Sequence, residues 1–504
     1  MLLLMSAPTG RGNLFDGVSL RRNALMLARA MLGGAPQGIL MASSTPARQC
    51  SGNAARATAL TAFLTRLHFY IGLFVGPFIL MAALTGTLYV LTPQLENRLY
   101  ADQLTTDSTG PQRPLAEQIA AAQASLHGEE TLAKVRPAPA PGTTTRVMFH
   151  QPGLNDYEHL AVFVDPVTLE IKGTLVSYGT SGTLPARIVL DYLHRHLMLG
   201  EAGRIYSELA ASWLWIAALG GVWMWWRTGR GGSGAGRSQR RRLRRWHSLT
   251  GLWLVVGLVF FSATGLTWSK WAGGNIGALR AQMGWVTPSL SVQLNGTAPA
   301  NHAQGAHAGH GDHGTHGAPA MPTSLALWDQ VLASARAAGI DAGKLEISPA
   351  ANADSAWQVK ELDRSWPTQV DAVAVDPRDL SITSRTDFAD YSLVAKLIRW
   401  GIDAHMGILF GLPNQLLLAA FGMALSAMTV LGYWMWWRRR PAPGATQALL
   451  CQSWARLGLP ARLVSLLLAL ALGWSLPLMG ASLLLFVLID LLRARTAEAA
   501  TEPA

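Results

Sequence analysis

Five stretches of this chain carry no Asp, Glu, Lys or Arg and are long enough to cross a lipid bilayer: Leu67 to Leu95, Leu209 to Trp226, Trp246 to Ser269, Met406 to Trp437 and Leu463 to Ile489. A hydrocarbon core about 30 Å thick takes roughly 20 helical residues, and within it a helix satisfies its own backbone polar groups. The sequence therefore predicts an α-helical integral membrane protein. Half of its 504 residues are hydrophobic and 14% are charged, where soluble domains carry about 25% charged residues.

The net charge of +11 comes from arginines that cluster beside the apolar stretches. They act as topology signals and do not form a nucleic-acid surface with interleaved aromatics. Arg227, Arg230, Arg237, Arg240, Arg241, Arg242, Arg244 and Arg245 lie between the second and third stretches, and Arg438, Arg439 and Arg440 follow the fourth. By the positive-inside rule both places are cytoplasmic. The long loops 97–206 and 270–400 are then expected in the periplasm of a bacterium whose inner membrane holds the chain. Cys50 and Cys451 fall on the cytoplasmic side, which excludes a disulfide framework in those loops.

The expected organisation follows. Residues 1–62, rich in Ala, Gly and Ser, form a disordered cytoplasmic leader. Residues 63–227 are a first unit, with spans 67–92 and 207–226 around its loop. A basic linker, 228–245, leads to a second unit, 246–440, with spans 246–269 and 412–437. Residues 441–504 hold a C-terminal apolar segment, 463–489, which Pro477 and Gly480 interrupt; one kinked span and a short hairpin are both compatible with it.

The two units are copies. Arg66, His68, Gly72, Thr85 and Gly86 recur 179 residues later as Arg245, His247, Gly251, Thr264 and Gly265. His194, Gly200, Leu214, Gly221 and the run Trp223-Met224-Trp225-Trp226-Arg227 recur 211 residues later, as His405, Gly411, Leu425, Gly432 and Trp434-Met435-Trp436-Trp437-Arg438. Asp165-Pro166 returns as Asp376-Pro377 at the same offset. The difference of 32 residues between the offsets marks an insertion, supplied mostly by the Gly/Ala/His stretch near 295–320. Helices 1 and 3 run the same way, so the units are parallel repeats about an approximate two-fold axis along the membrane normal, and a four-helix bundle follows. Each loop predicts a small α+β module: a helix (114–126 or 325–338), then strands near 132–137, 145–150 and 159–164, or 344–348, 355–360 and 369–375.

This arrangement resembles the PepSY-associated transmembrane family of bacterial inner-membrane proteins. The resemblance rests on the Arg-x-His openings at Arg66 and Arg245, the Thr-Gly pairs at Thr85 and Thr264, Leu193-His194-Arg195, Ala404-His405 and the Trp-rich helix ends. It covers about 63–440 and implies two PepSY-like periplasmic modules. The family includes iron-regulated proteins and haem-containing siderophore reductases, so a ferric siderophore is the substrate the resemblance implies. PepSY-type domains are also linked to inhibition of secreted peptidases.

Of the thirteen histidines, His68, His194, His196, His247 and His405 fall at membrane boundaries. A single histidine near a helix end is ordinarily an interfacial residue with a satisfied hydrogen bond. Here the repeat places His68 and His247 at equivalent positions on the cytoplasmic side, and His194 and His405 at equivalent positions on the periplasmic side. Two imidazoles facing each other across a bundle can supply both axial ligands of a haem iron. The leading expectation is thus two haem b groups, held by His68 with His247 and by His194 with His405, with His196 as an alternative ligand. Arg66, Arg195 and Arg245 are candidate partners for the propionates, although lipid phosphate explains Arg66 and Arg245 as well. Gly72, Gly76, Gly251 and Gly257 leave room for a macrocycle or, equally, for close helix packing.

The implied function is an electron conduit, an oxidoreductase that reduces periplasmic ferric siderophore and releases ferrous iron. Its electrons would come from a quinol or a cytoplasmic reductase. No NAD or flavin site is visible, since Gly229 to Gly236 follows a membrane helix where a dinucleotide turn needs a strand. Two alternatives stand beside this reading: a non-enzymatic regulatory or binding membrane protein, and a periplasmic metal-handling protein. The second draws on His302, His307, His310, His313 and His316, which sit among Gly and Ala in the insertion 300–318 and suit loose metal chelation better than a specific site.

Overall fold

The structure is a computed structural model that describes residues 51–155, 157–228, 239–294, 324–438 and 449–499. The His-rich insertion lies outside the described residues. The chain divides into residues 1–53 and 54–504, and the architecture below is that of the second unit. Helix α1 begins at Ser51, so the described part of the expected leader, 51–62, is helical.

Five helices are long and apolar enough to cross a membrane: Ala59–Val90, Gly200–Arg227, Arg241–Thr267, Leu412–Trp437 and Pro477–Ala494. The expected count of four spans plus one apolar segment is corrected on this point. The C-terminal region is a hairpin of α14 (Leu459–Ser475) and α15 (Pro477–Ala499), broken where Pro477 cannot donate to the preceding turn. Only α15 reaches spanning length.

The first span is one continuous rod: α1 (Ser51–Tyr70), a π-helical turn (Ile71–Val75) and α2 (Gly76–Val90). The irregularity has a local cause. Pro77 has no N–H to give the carbonyl of Leu73 four residues back, and in lipid an orphaned carbonyl is costly. The Tyr433 hydroxyl donates to that carbonyl at 3.0 Å. Gly76 admits the tyrosine, since a Cβ there would lie 2.9 Å from its hydroxyl oxygen.

The hairpin clasps the same turn. Phe486 stacks on Phe74 at 5.4 Å. The buried Asp490 carboxylate accepts from the Tyr70 hydroxyl and from the backbone N–H groups of Leu450 (3.0 Å) and Cys451 (2.7 Å), at the start of α13 (Leu450–Ala455). A carboxylate within an apolar segment is costly unless satisfied, and here three donors satisfy it.

After the first span come α3 (Thr92–Leu99), α4 (Ala101–Leu104) and α5 (Leu115–Ala124). Strands β1 (Thr131–Arg136), β2 (Thr145–His150), β3 (Glu158–Val164) and β4 (Ile171–Tyr178) lead to α6 (Pro185–His196) and the span α7 (Gly200–Thr228). The second half runs α8 (Gln239–Thr267), α9 (Trp271–Gln282), α10 (Ala326–Ala337), β5 (Leu345–Ser348), β6 (Trp357–Glu361), β7 (Ala372–Val375), β8 (Ile382–Thr386), α11 (Leu393–His405) and α12 (Leu412–Trp437).

The two loops do not fold as separate three-stranded modules. Each contributes four strands, and all eight form one antiparallel sheet in the order β4-β3-β2-β1-β5-β6-β7-β8. The seam is the pairing of β1 with β5, in register at Val135 and Ile347. Each added strand follows the Asp-Pro turn: the Asp165 carboxylate accepts from the backbone of Val167 (2.8 Å), and Asp376 from that of Arg378 (2.9 Å).

Helices α5 and α10 share one core with the sheet, in which Trp328 and Trp357 meet edge to face at 4.7 Å. The halves also cap each other. Asp329 of α10 accepts from the N–H groups of Leu115 (2.7 Å) and Ala116 (3.0 Å), the first two residues of α5. A carboxylate at a helix N-terminus satisfies orphan donors and the helix dipole together.

Candidate functional site

Helices α6 and α11 are short, amphipathic and stand immediately before the spans α7 and α12. Their last turns bring His194 and His405 together, with ring centroids 6.4 Å apart and planes at 67°. At the basic end of the bundle His68 and His247 face each other at 6.3 Å and 85°. Each pair thus joins a residue to its repeat equivalent.

Hydrogen bonds fix the tautomer of all four rings. Carbonyls only accept, so His68 donates Nδ1–H to Ala217 (3.1 Å) and His247 donates Nδ1–H to Met428 (3.0 Å). At the other pair the partners are the hydroxyls of the Thr-Gly motif, Thr85 (3.1 Å) and Thr264 (2.6 Å). Thr85 already donates to Met81 O (2.7 Å) and Thr264 to Phe260 O (2.8 Å), so both hydroxyls accept from the imidazoles. Nε2 is left as the lone-pair nitrogen on every ring. Burial lowers the pKa of His194, and burial with the neighbouring His194 lowers that of His405 to about 3, so this pair stays neutral.

Glycines set the spacing. A Cβ on Gly86 would lie 3.0 Å from His194 Cε1, and one on Gly432 would lie 3.5 Å from His247 Cε1. Three of the glycines expected to make room for a macrocycle serve helix packing: Gly76 faces Tyr433, Gly251 faces Met428 and Gly257 faces Phe421. Nothing lies within 4 Å of a Cβ on Gly72.

The arginines and His196 have other surroundings. Arg195 is committed to the Tyr178 hydroxyl (2.6 Å) and Asp191 (3.3 Å). Burial opposes its charge, but Asp191 and Tyr178 outweigh burial and raise its pKa above the usual range. Arg66 lies over the Phe69 ring at 5.4 Å, and Arg245 is exposed. His196 packs on Tyr192 at 5.0 Å, outside both pairs.

A cavity of about 480 Å³ opens beside His194 and His405, beneath the sheet and between the spans. Its walls are mostly apolar side chains such as Ile79, Ala82, Leu214 and Phe261, and Asp191, Arg195, Glu201 and Arg204 are its charged lining residues. Of these polar residues the sequence had singled out Arg195 alone. Asp191 sits one helical turn before Arg195 on α6, a spacing visible in hindsight, but Tyr178 reaches it from the sheet.

All four histidines fall within one region of known sequence pattern, residues 65–439. The chain belongs to the PepSY-associated TM region family. No curated protein matches it. Membership carries the architecture and leaves the siderophore-reductase subtype unsupported.

The haem expectation is corrected here. The residues supply pairs of histidines, and among the described residues no group of three or more His, Cys, Asp or Glu side chains gathers where it could hold a metal ion. Two haem b groups, the electron conduit and the ferric-siderophore oxidoreductase built on them are withdrawn on that ground. The ferric siderophore and the quinol or cytoplasmic reductase consequently have no role in the function proposed below.

Proposed function

We propose that the chain is a non-enzymatic binding protein of the PepSY-associated type, which holds a small, largely apolar molecule in the cavity beside His194 and His405. The cavity carries this reading: about 480 Å³ of mostly apolar space with a few convergent polar groups is the usual form of a small-molecule site. The His194 and His405 rings with Arg195 and Arg204 supply polar anchors, and the sheet above lies where binding can be communicated to a partner outside the membrane. The test is native mass spectrometry of the protein in nanodiscs. The expected spectrum shows one added mass per chain, retained in a surface control and lost in Ala82→Trp, which fills the cavity. Three results overturn the reading: no added mass, the same mass in Ala82→Trp, or a visible absorption band that shifts on reduction and marks a redox protein.

The orientation we propose puts the sheet in the periplasm of a bacterial cell and the arginine-rich start of α8 in the cytoplasm, on the strength of the arginine distribution. In a chain without native cysteines, a membrane-impermeant maleimide should label Ala353→Cys in intact cells and leave Gln239→Cys untouched until the membrane is opened. Labelling of position 239 in intact cells would reverse the topology.

A further inference from the structure

We infer that the β6–β7 loop and α11 form a lipid-docking patch that seats the second half of the sheet in the headgroup layer of the bilayer. Trp366 in that loop is 57% exposed, although it is a large aromatic. It meets Trp400 of α11 at 5.4 Å and Phe410, itself 58% exposed, at 6.3 Å. The loop is tied to this position, because the backbone N–H of Trp366 donates to Leu409 O at 2.8 Å.

On α11 the exposed Leu393 and Leu397 continue the patch at the spacing of one helical stripe with Trp400, while Ala395, Ile402 and Asp403 on the other side are buried. The occupant follows from continuity. Phe410 stands two residues before the spanning helix α12, in whose first turns Leu412, Leu416 and Leu417 are exposed as well. A span's outward apolar residues face lipid, so the patch extends the lipid-facing surface past the end of the span. Aromatic rings with a polar edge are the side chains that favour this boundary, and the Trp400 indole N–H is satisfied by Thr368 at 3.2 Å.

The rings of the patch belong to one half only. The residues 211 positions before Trp366, Trp400 and Phe410 are Asn155, Val189 and Leu199, with no ring among them. The aromatic part of the patch is therefore confined to the second half, while Val189 and Leu199 present exposed aliphatic side chains at the equivalent positions of the first.

Spin labels at single cysteines in the nanodisc-embedded full chain, with Cys50 and Cys451 replaced by alanine, test this. At Trp366→Cys and Leu397→Cys, relaxation by oxygen is expected to exceed relaxation by a water-soluble nickel chelate. At Asn155→Cys and Ala353→Cys the order is expected to reverse. The position-397 label keeps the test valid should loss of the Trp366 ring loosen the loop. Nickel-dominated relaxation at both 366 and 397 means that the patch faces water, or a protein partner missing from the nanodisc, and overturns the inference.

Discussion

Asp403→Ala is expected to lower the stability of the folded chain by about 3–5 kcal/mol, the usual cost of stranding a buried charge by removing its partner. Asp403 is fully buried, and Arg364, 4% exposed, donates Nε–H to it at 2.6 Å and Nη1–H to Ser181 at 2.8 Å. Arg399 approaches the same carboxylate at 3.3 Å. These contacts join α11, the β6–β7 loop and the first half of the chain at one point, two residues from His405. Thermal unfolding in detergent should show the loss, and Arg364→Met together with Asp403→Leu should recover part of it, since the more deeply buried cation is removed with the carboxylate and only Arg399, 25% exposed, is left without it. A loss under about 1 kcal/mol would show that water reaches the cluster and that the pair behaves as a surface one.

Acid should weaken the sheet at its seam. Glu346 on β5 is 3% exposed, and Arg136 and Lys134 of β1 reach it at 2.7 and 3.4 Å. Burial opposes its charge, but the two cations outweigh burial and hold its pKa at about 2, below the ordinary 4.5. A carboxyl depressed in the folded state contributes stability that is fully present above its unfolded pKa and is lost as pH falls through its folded pKa. The window is therefore pH 4.5 down to about 2, and the contribution lost is on the order of 3 kcal/mol. The melting temperature should fall across that window, and Glu346→Gln should lower it at neutral pH and flatten the fall. An equally steep fall in Glu346→Gln would assign the acid sensitivity to other carboxyls.

The spans and both histidine pairs were legible in the sequence for one reason: each is marked by local composition or by a fixed repeat offset. The strands β1 to β3 and their counterparts were legible too, as short runs ahead of the Asp-Pro turns. What escaped was non-local or locally weak. Strand β4 carries Gly173 in its interior, and β8, ITSRT, is mostly polar and exposed, so neither announces a strand. The β1–β5 seam joins positions 212 residues apart, Val135 and Ile347, and no window of sequence contains it. The same holds for Arg364 with Ser181 and for Tyr433 with Leu73. At the site, the threonines of the Thr-Gly pairs were visible as motif members, but their role as acceptors for His194 and His405 needed the helices α6 and α11 folded back against the first and third spans. The haem reading went further than the pairs themselves, because a pair of imidazoles is a property of the residues while the cofactor was an inference about what lies between them.

The eight-stranded sheet also imposes an order on the making of this protein. When the first loop has been synthesised, β1 is an outer edge with unpaired N–H and C=O groups, and α5 lacks Asp329 at its start. Both wait until roughly two hundred more residues, including two further membrane helices, have emerged and been inserted. At about 5–20 residues per second that interval is on the order of ten seconds or more. For that time the nascent chain presents a sticky strand to every neighbour, and a second nascent copy offers the same strand in the same register of the repeat. A premature stop after α7 would leave a half-protein with that edge open for good, a template for pairing with another chain.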